Sequence, residues 1–524
     1  MRQLVIVTFT ITALLTTVSA SVRAQAPAPA AQPPAPGVPI PAPAAQTRAS
    51  DAAQEEWSTT RHSLRLGGRT IPYAAKAGTT AIRNEEGEIT GLMYSVSYVH
   101  AEAPGSSTRP VTFLFNGGPG SASMWLHMGS VGPKRVVTTN GQYTPPAPYP
   151  VVDNSETLLD RTDLVFIDAM GTGFSRIAGK GTEKDFYGVD ADANAFAQFM
   201  TTWLSRNGRW NSPKFMIGES YGTFRAAVVA NILQQRGVHL NGVNLLSMVL
   251  DLSTITFAPG DDRSYIYYLP SYAAVAWYHQ ALPNRPPSLE KWVDDARRFA
   301  VTDYAAALMK GSALPEAEMT AVAKRLSAFT GLSEEFLKRA DLRPTLGQFN
   351  AELMRSRRMT AGRIDARFAG DTFNQLTESA ENDPFNAAVG SAYTAAVNHH
   401  TRDVLKFGGD RPYRNTNGAG GRWNWVRQGG GGFFPGAPNA QGDLVQAMIA
   451  NPNMVVQVEN GYYDMATPFF PAEFTMTHLR IPPRLQKNIT LNYYEAGHMM
   501  YLRDEDRVAL RDNLVAFIER GMRK

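Results

Sequence analysis

The pentapeptide Gly218-Glu219-Ser220-Tyr221-Gly222 constrains the fold of this chain of 524 residues more than any other feature. It stands between the apolar run Phe215-Met216-Ile217 and a helical pattern of apolar residues that opens at Thr223. A strand, a sharp turn and a helix in this order hold the serine of a GxSxG motif exposed as a nucleophile. Side chains in place of the two glycines would collide with neighbouring backbone. The sequence therefore predicts a strained turn that points the hydroxyl of Ser220 outward.

Two further strand patterns lie downstream, and each ends just before a residue that a serine nucleophile needs. One apolar run precedes Asp464, and a second precedes His498, which gives the chain order serine, aspartate, histidine. Because the carboxyl ends of neighbouring strands in an open α/β sheet converge on one crevice, these distant residues can meet. We expect His498 to take the proton of Ser220 and Asp464 to orient the imidazole. Glu495 is the alternative orienting acid, but it is only three residues from His498 on the same loop.

A glycine-rich loop upstream is the candidate for the oxyanion hole. The buried-strand pattern Val111–Phe115 breaks into Asn116-Gly117-Gly118-Pro119-Gly120-Ser121. Such a loop leaves backbone amides uncovered, and the amides of Gly118 and Tyr221 can together hold an oxyanion. Loss of one such donor typically costs about 3 kcal/mol of transition-state stabilisation.

Six sequence blocks, in the same order as in the family, resemble the serine carboxypeptidases. They are FNGGPGSAS at Phe115 to Ser123, VGPKRV at Val131 to Val136, DLVFIDAMGTGFS at Asp163 to Ser175, GESYGT at Gly218 to Thr223, NGYYDM at Asn460 to Met465, and EAGHMMY at Glu495 to Tyr501. The resemblance implies an alpha/beta-hydrolase fold, with a doubly wound, mostly parallel sheet and an inserted, mainly helical cap. It implies a serine-type carboxypeptidase that removes C-terminal residues from peptides through an acyl-enzyme. The alternative is an acyltransferase or esterase that uses the same triad.

The resemblance also assigns roles to individual residues. It implies a catalytic triad of Ser220, Asp464 and His498, an oxyanion hole of Gly118 and Tyr221, and a site for the C-terminal carboxylate of the substrate at Asn116, Gly117 and Glu219. Glu219 must be protonated to donate a hydrogen bond to another carboxylate, and protonation is favoured where two acids crowd together. The family accordingly tends to work at acidic pH.

The chain departs from the family at two positions. A second acidic residue usually stands about two positions before the Gly-Pro of the VGP block, where this chain has Ser130. We expect a weaker grip on the terminal carboxylate, a shifted pH optimum, or replacement of the lost contact by His127 or a nearby cation such as Arg225. Ser121 stands where eukaryotic relatives carry a cysteine.

Composition excludes several classes of site. The chain has no cysteine, so it has no disulfide, no thiolate metal site and no catalytic thiol. A composition of 44% hydrophobic and 19% charged residues is typical of a globular protein. The net charge is only +4, with no concentrated basic run, so we expect no nucleic-acid partner. We also expect no metal and no cofactor, because the predicted triad needs neither.

The N-terminus predicts secretion. Residues 1–24 resemble a signal peptide, with an apolar segment from Leu4 to about Leu15 and small residues before candidate cleavage sites at Ala20 and Ala24. The segment is short for a membrane anchor, which is the alternative, and we expect no stable membrane insertion after its removal. Residues 25–50 are almost wholly Ala and Pro, which predicts a disordered spacer. We expect a secreted or periplasmic protein.

The remaining chain predicts one hydrolase core with an insertion. Alternating strands and helices over 51–274 and 446–524 predict the two parts of a doubly wound sheet. Between them, residues 275–445 predict a mainly helical cap over the crevice, with helices at 289–310 and 316–329 and a glycine-rich loop at 415–436. The side-chain preference of the pocket, the oligomeric state and the physiological peptide substrate stay open.

Overall fold

The computed structural model describes residues 53–101, 107–427 and 437–523. These residues belong to one compact unit. The predicted signal peptide (1–24) and the Ala/Pro spacer (25–50) lie outside the described residues. Within the described ranges, no helix is both long and apolar enough to cross a membrane.

The strands form a main sheet and two small hairpins. Their bounds are β1 (Trp57–Leu66), β2 (Arg69–Arg83), β3 (Ile89–His100), β4 (Val111–Phe115), β5 (Lys134–Val136), β6 (Val151–Asp153), β7 (Asp163–Ile167), β8 (Arg176–Ile177), β9 (Lys214–Glu219), β10 (Gly242–Leu246), β11 (Met359–Ala361), β12 (Ala369–Asp371), β13 (Val455–Gly461) and β14 (Ile489–Tyr494). The main sheet has the order β1-β2-β3-β7-β4-β9-β10-β13-β14, with β8 paired to β3. Strands β7, β4, β9, β10, β13 and β14 run parallel, whereas β1, β2, β3 and β8 pair antiparallel at one side. The predicted mostly parallel sheet is confirmed.

Helices cover both faces of this sheet. Their bounds are α1 (Met124–Gly129), α2 (Val189–Arg206), α3 (Tyr221–Gln235), α4 (Arg263–Tyr278), α5 (Leu289–Phe299), α6 (Ala305–Lys310), α7 (Glu316–Thr330), α8 (Glu334–Arg339), α9 (Leu346–Glu352), α10 (Pro384–His399), α11 (Gln441–Ala450), α12 (Phe469–Thr477), α13 (Pro483–Gln486) and α14 (Asp504–Met522). Side chains of β4 alternate between two cores: Phe113 and Phe115 pack with α2 and α3, and Leu114 packs with α14. Alternation of this kind is the signature of a sheet buried on both faces.

The predicted bounds of the insertion, 275 and 445, both fall inside helices. Residue 275 falls inside α4, a single helix that packs on α5 and α7 of the cap. Residue 445 falls inside α11, which packs on α3 of the hydrolase core. The chain leaves the main sheet after Leu246 and re-enters it at Val455. Helix periodicity does not reveal these bounds, because α4 and α11 have apolar faces whichever part of the protein covers them.

An extended segment, residues 413–427, returns from the cap across the carboxyl edge of the sheet, and we call it the strap. Isolated β-bridges join it to the loops of the core, between Ser121 and Thr416 and between Gly173 and Arg414. The sequence predicts a glycine-rich loop here, and the structure shows that the described part of this loop is held by main-chain pairing.

Candidate active site

The nucleophile turn joins β9 to α3. Ser220 has backbone angles of φ 62° and ψ −131°, a conformation that residues other than glycine rarely adopt. Its amide donates to the carbonyl of Leu246 (2.9 Å), and its carbonyl accepts from the amide of Thr223 (2.8 Å). A Cβ atom at Gly218 would lie 2.2 Å from the carbonyl oxygen of Gly222, so the turn has no room for a side chain there. The Ser220 side chain remains partly exposed at the carboxyl edge of the sheet.

Asp464 and His498 come from the loops after β13 and β14 and lie in hydrogen-bond contact. Oδ2 of Asp464 is 2.8 Å from Nδ1 of His498, and both side chains are buried. Burial alone would lower the pKa of His498, but the carboxylate of Asp464 outweighs it and raises that pKa above its ordinary value. Because the contact uses Nδ1, Nε2 is left to take a proton from a serine. Within the described part of the chain no hydrogen bond joins Ser220 to His498, and such contacts often tighten only when substrate binds.

Three donors besides the imidazole fix the carboxylate of Asp464. Its Oδ1 accepts the amides of Ala466 (2.8 Å) and Thr467 (2.9 Å). Its Oδ2 accepts the hydroxyl of Thr467 (2.9 Å), whose oxygen is also 3.2 Å from Nδ1 of His498. These groups therefore orient the carboxylate independently of the imidazole.

Ser247, directly after β10, ties the histidine loop to the aspartate loop. Its hydroxyl donates to the carbonyl of His498 (2.6 Å), and its own carbonyl oxygen lies 2.9 Å from the hydroxyl oxygen of Thr467. Its amide donates to the carbonyl of Glu459 on β13 (2.8 Å). Ser247 has a φ of 50°, which is uncommon for a residue other than glycine. This kink follows directly after Leu246, the last residue of β10.

The glycine-rich loop after β4 packs against the first turn of α3. A Cβ atom at Gly117 would lie 2.4 Å from the amide nitrogen of Tyr221, so only glycine permits this approach. Tyr221 is the first residue of α3, where an amide has no acceptor within the helix. Among the residues that the structure describes, the amides of Gly118 and Tyr221 donate to none. Both are available to bind an oxyanion.

Asp168 and the strap hold this loop from behind. The carboxylate of Asp168 accepts the amide of Ser123 (2.7 Å) and the hydroxyl of Tyr413 (2.9 Å). The amide of Ala122 donates to the carbonyl of Asn415 on the strap (2.9 Å). Burial raises the pKa of Asp168 to about 6. The loop is therefore positioned by a buried acid and by main-chain bonds together.

Glu219, the residue before the nucleophile, is buried with a partner on each carboxyl oxygen. Its Oε1 accepts from the side-chain amide of Asn116 (2.8 Å), and its Oε2 accepts from the hydroxyl of Tyr501 (2.8 Å). Burial raises the pKa of Glu219 to about 7, although the nearby His498 and these hydrogen bonds lower it in part. Glu219 is therefore mostly protonated in mildly acidic solution.

The residues expected around the missing second acid do not touch Glu219. The hydroxyl of Ser130 donates to a main-chain carbonyl of its own helix. His127 lies 2.6 Å from the hydroxyl of Tyr98, and burial lowers the pKa of His127 to about 3. Arg225 pairs with Asp192 at 2.6 Å and donates to the main-chain carbonyl of the loop after β4. The suggested replacement of the lost contact by His127 or Arg225 is wrong, since the hydrogen-bond partners of Glu219 are Asn116 and Tyr501.

The alternative orienting acid, Glu495, lies away from the imidazole. Its side chain is exposed, and one of its oxygens is 3.7 Å from the guanidinium of Arg503. Glu495 therefore does not contact the imidazole, whereas Asp464, in the loop after the neighbouring strand β13, contacts Nδ1.

Sequence reasoning missed Thr467, Ser247 and Tyr501 as parts of the site. Thr467 lies two residues beyond the NGYYDM block, and Tyr501 is the last residue of the EAGHMMY block. Both residues lie close in the sequence to a predicted catalytic residue, and this proximity could have indicated them. Ser247 had none, because its role depends on a kink that ends β10.

Comparison with known proteins relates part of this chain to one family. The serine carboxypeptidase family model matches residues 92–286, a range that includes the glycine-rich loop and the nucleophile turn but not Asp464 or His498. The match confirms the predicted resemblance, and it supports a serine hydrolase. No curated protein matches the sequence.

The fold is that of the alpha/beta-hydrolases. The crystal structure of Kex1(delta)p, a prohormone-processing carboxypeptidase from Saccharomyces cerevisiae, matches with a TM-score of 0.51 at 15% identity, over 85% of this chain and 91% of that one. At this identity the likeness concerns the fold alone. A lipase in its open form gives a TM-score of 0.34 at 15% identity, over 85% of this chain and 99% of its own. A carboxyl esterase from Bacillus coagulans gives 0.33 at 10% identity, over 89% and 99%. We draw nothing from these two lower scores.

Proposed function

We propose that this protein is a serine-type carboxypeptidase, which hydrolyses C-terminal residues from peptides through an acyl-enzyme. The observation that carries the proposal is the buried carboxyl of Glu219, one residue before the nucleophile, with its pKa raised to about 7. A serine hydrolase for esters has no need of an acid that keeps its proton at this position. A carboxypeptidase does, because a protonated carboxyl can donate a hydrogen bond to the terminal carboxylate of the substrate.

In the proposed reaction, Oγ of Ser220 attacks the carbonyl carbon of the last peptide bond, and Nε2 of His498 takes the hydroxyl proton. The amides of Gly118 and Tyr221 bind the oxyanion that forms. As the C–N bond breaks, His498 returns the proton to the leaving amine, and the acyl group stays on Ser220. Water then attacks the ester with His498 as base, and the shortened peptide leaves as a free acid. Asp464 stabilises the imidazolium in both steps.

The terminal carboxylate of the substrate binds in this proposal at Gly117 and Glu219. Asn116 holds Glu219 in place through the 2.8 Å hydrogen bond to Oε1, and Tyr501 does so through Oε2. Since only the protonated form of Glu219 can donate, preference for free over amidated C-termini should fall as the pH rises through about 7.

A mixed peptide pool analysed by mass spectrometry tests the proposal. We expect sequential loss of terminal residues with the wild-type protein, none with Ser220→Ala, and unchanged loss with Ser205→Ala, an exposed serine on α2. Free peptides should be cleaved faster than their C-terminal amides at pH 5. Internal cuts, or equal rates on free and amidated ends, would contradict carboxypeptidase activity. Transfer of an acyl group to an added alcohol or amine would instead favour the acyltransferase alternative.

We also propose that the enzyme acts on its peptide substrates as a secreted or periplasmic protein without nucleic-acid partners. The support is the apolar segment from Leu4 to about Leu15 and the small residues after it. N-terminal sequencing of protein recovered from outside the cytoplasm should begin at Ser21 or Gln25. A mature protein that still begins at Met1 would contradict this.

A further inference from the structure

A heptapeptide of the insertion, Gly362–Phe368, lies between the two loops that carry the acid and the base, and we call it the clamp segment. Two of its carbonyls accept the amides of Met465 (3.2 Å) and His498 (2.9 Å). The amide of Ala366 donates to the carbonyl of Tyr463 (3.0 Å). The clamp segment therefore bonds to the residues on either side of Asp464 and to the main chain of His498 itself.

A buried ion pair fixes the shape of the clamp segment. The carboxylate of Asp365 accepts from the guanidinium of Arg367, with Nη2 to Oδ2 at 2.6 Å and Nε to Oδ1 at 3.0 Å. The same Oδ1 accepts the amide of Arg367 (3.0 Å), which closes a tight turn. A further guanidinium nitrogen donates to Oδ1 of Asn140 (2.7 Å). Both charged side chains are almost fully buried, and they therefore restrict the motion of the neighbouring main-chain carbonyl groups.

The ion pair also touches the histidine loop directly. A Cβ atom at Gly497, the residue before His498, would lie 2.3 Å from Cγ of Asp365. The main chain of Gly497 therefore packs on the Asp365 side chain without a gap that a methyl group could fill. The position of Asp365 sets how closely the histidine loop can approach the insertion.

We propose that the Asp365–Arg367 pair positions His498, by holding the clamp segment rigid against the loop that carries the imidazole. The inference rests on the triad of the proposed function. A buried ion pair is weak support for a purely stabilising role, because desolvation offsets most of its attraction. A role in orienting His498 accounts for the position of the ion pair beside the histidine loop. A misplacement of about 1 Å at a catalytic group can lower the rate on the order of a hundredfold. Asp365 and Arg367 touch no reacting atom and act through the main chain of His498.

The test compares two buried ion pairs of the same kind. Arg367→Lys keeps the charge and removes the fork that grips Asp365. Arg209→Lys makes the same change in the pair of Arg209 with Asp163, at the amino end of β7 on the opposite edge of the sheet. Both arginines are almost fully buried. A fluorophosphonate label counts the competent sites in each preparation, and turnover of p-nitrophenyl acetate and of free peptides is expressed per labelled site.

We expect Arg367→Lys to lower kcat per labelled site at least about tenfold with KM within about threefold, the pattern of a displaced catalytic group. Arg209→Lys should lower thermal stability and leave kcat per site unchanged. The low-field proton resonance of the bond between Asp464 and His498 should shift or broaden in Arg367→Lys only. This resonance is visible without turnover, so it tests the positioning role even if the substrate class proposed above is wrong.

A second variant guards against failure of Arg367→Lys to fold. Gly497→Ala keeps both members of the ion pair and places a methyl group against Asp365, so it should displace the histidine loop relative to Asp365 and lower kcat per site in the same way. If both variants fold and keep kcat per site and the low-field resonance of the wild type, the pair is structural only and the proposal is overturned.

Discussion

Removal of one hydroxyl, in Tyr501→Phe, should change the pKa of Glu219, the carboxyl that binds the substrate in the proposed function. The hydroxyl of Tyr501 is buried and donates to Oε2 of Glu219 at 2.8 Å. This hydrogen bond favours the charged form of Glu219 and lowers its pKa, against burial, which raises it. In the variant, burial still raises the pKa of Glu219, but one of the interactions that lower it is lost. The pKa of Glu219 should therefore rise above its wild-type value of about 7.

The size of the change follows from the strength of the lost contact. A hydrogen bond to a charged group contributes about 1.5 to 3 kcal/mol. Since one pKa unit corresponds to about 1.4 kcal/mol, the pKa of Glu219 should rise by roughly one to two units. The protonated form, which binds the terminal carboxylate in the proposed function, would then persist into alkaline solution.

The assay is the ratio of kcat/KM for a free peptide to that for its C-terminal amide, measured from pH 5 to pH 9. In the wild type this ratio should fall around pH 7, and in Tyr501→Phe the fall should move to higher pH. Tyr393→Phe is the matched control. Tyr393 is equally buried and close enough to Glu219 for their charges to interact, but no hydrogen bond joins the two in the described structure.

Two outcomes would refute the reasoning. A midpoint that stays in place in Tyr501→Phe would mean that the protonation of Glu219 does not control the ratio. An equal shift in Tyr393→Phe would mean that the effect comes from the loss of any nearby hydroxyl rather than from the hydrogen bond.

Three further predictions concern charge and pH. Because folding raises the pKa of Glu219 from 4.5 to about 7, the contribution of Glu219 to stability should fall as the pH rises through this window. Glu219→Gln should therefore be about 3 kcal/mol more stable than wild type at pH 8.5 and no more stable at pH 4, by urea unfolding. Arg363 lowers the pKa of His498, so Arg363→Gln should move the acid limb of the kcat/KM profile to higher pH, and an unmoved limb would contradict this. Burial lowers the pKa of His127 from 6.5 to about 3, so the contribution of His127 to stability should be lost as the pH falls below 6.5, by about 3 kcal/mol at pH 4.5. The stability of His127→Gln relative to wild type should therefore rise by this amount between pH 7 and pH 4.5 in urea unfolding.

The parts of the site that lie directly after strands could be predicted from the sequence. Ser220, Asp464 and His498 each follow an apolar run, and parallel strands bring their carboxyl ends to one edge. The register of β13 with β14, in which Gly461 lies opposite Tyr494, aligns the two loops and leaves Nδ1 within reach of the acid. Local patterns are sufficient here because the geometry of a parallel sheet supplies the rest.

The parts that depend on contacts between distant segments could not be predicted. Nothing in the clamp segment marks it as part of the site, since it lies about 100 residues before Asp464 and resembles an ordinary loop. The absence of an acid at Ser130 did not indicate that Tyr501, just after His498, would donate to Glu219. In both cases the deciding factor is which distant segments of the chain pack together, and composition and periodicity do not encode that choice.

The charges of Glu219 and His498 shift each other's pKa. This coupling explains how the proposed site can bind a carboxylate and still keep the imidazole neutral at acidic pH. A negative charge on Glu219 raises the pKa of His498, and a positive charge on His498 lowers that of Glu219. Below about pH 7 Glu219 takes up its proton, so the contribution that raises the pKa of His498 disappears. The imidazole then stays neutral, and able to accept the serine proton, to a lower pH than it would beside a charged Glu219. In the proposed function, protonation of a single buried carboxyl therefore serves binding and catalysis together, and this favours activity on the acid side of neutrality.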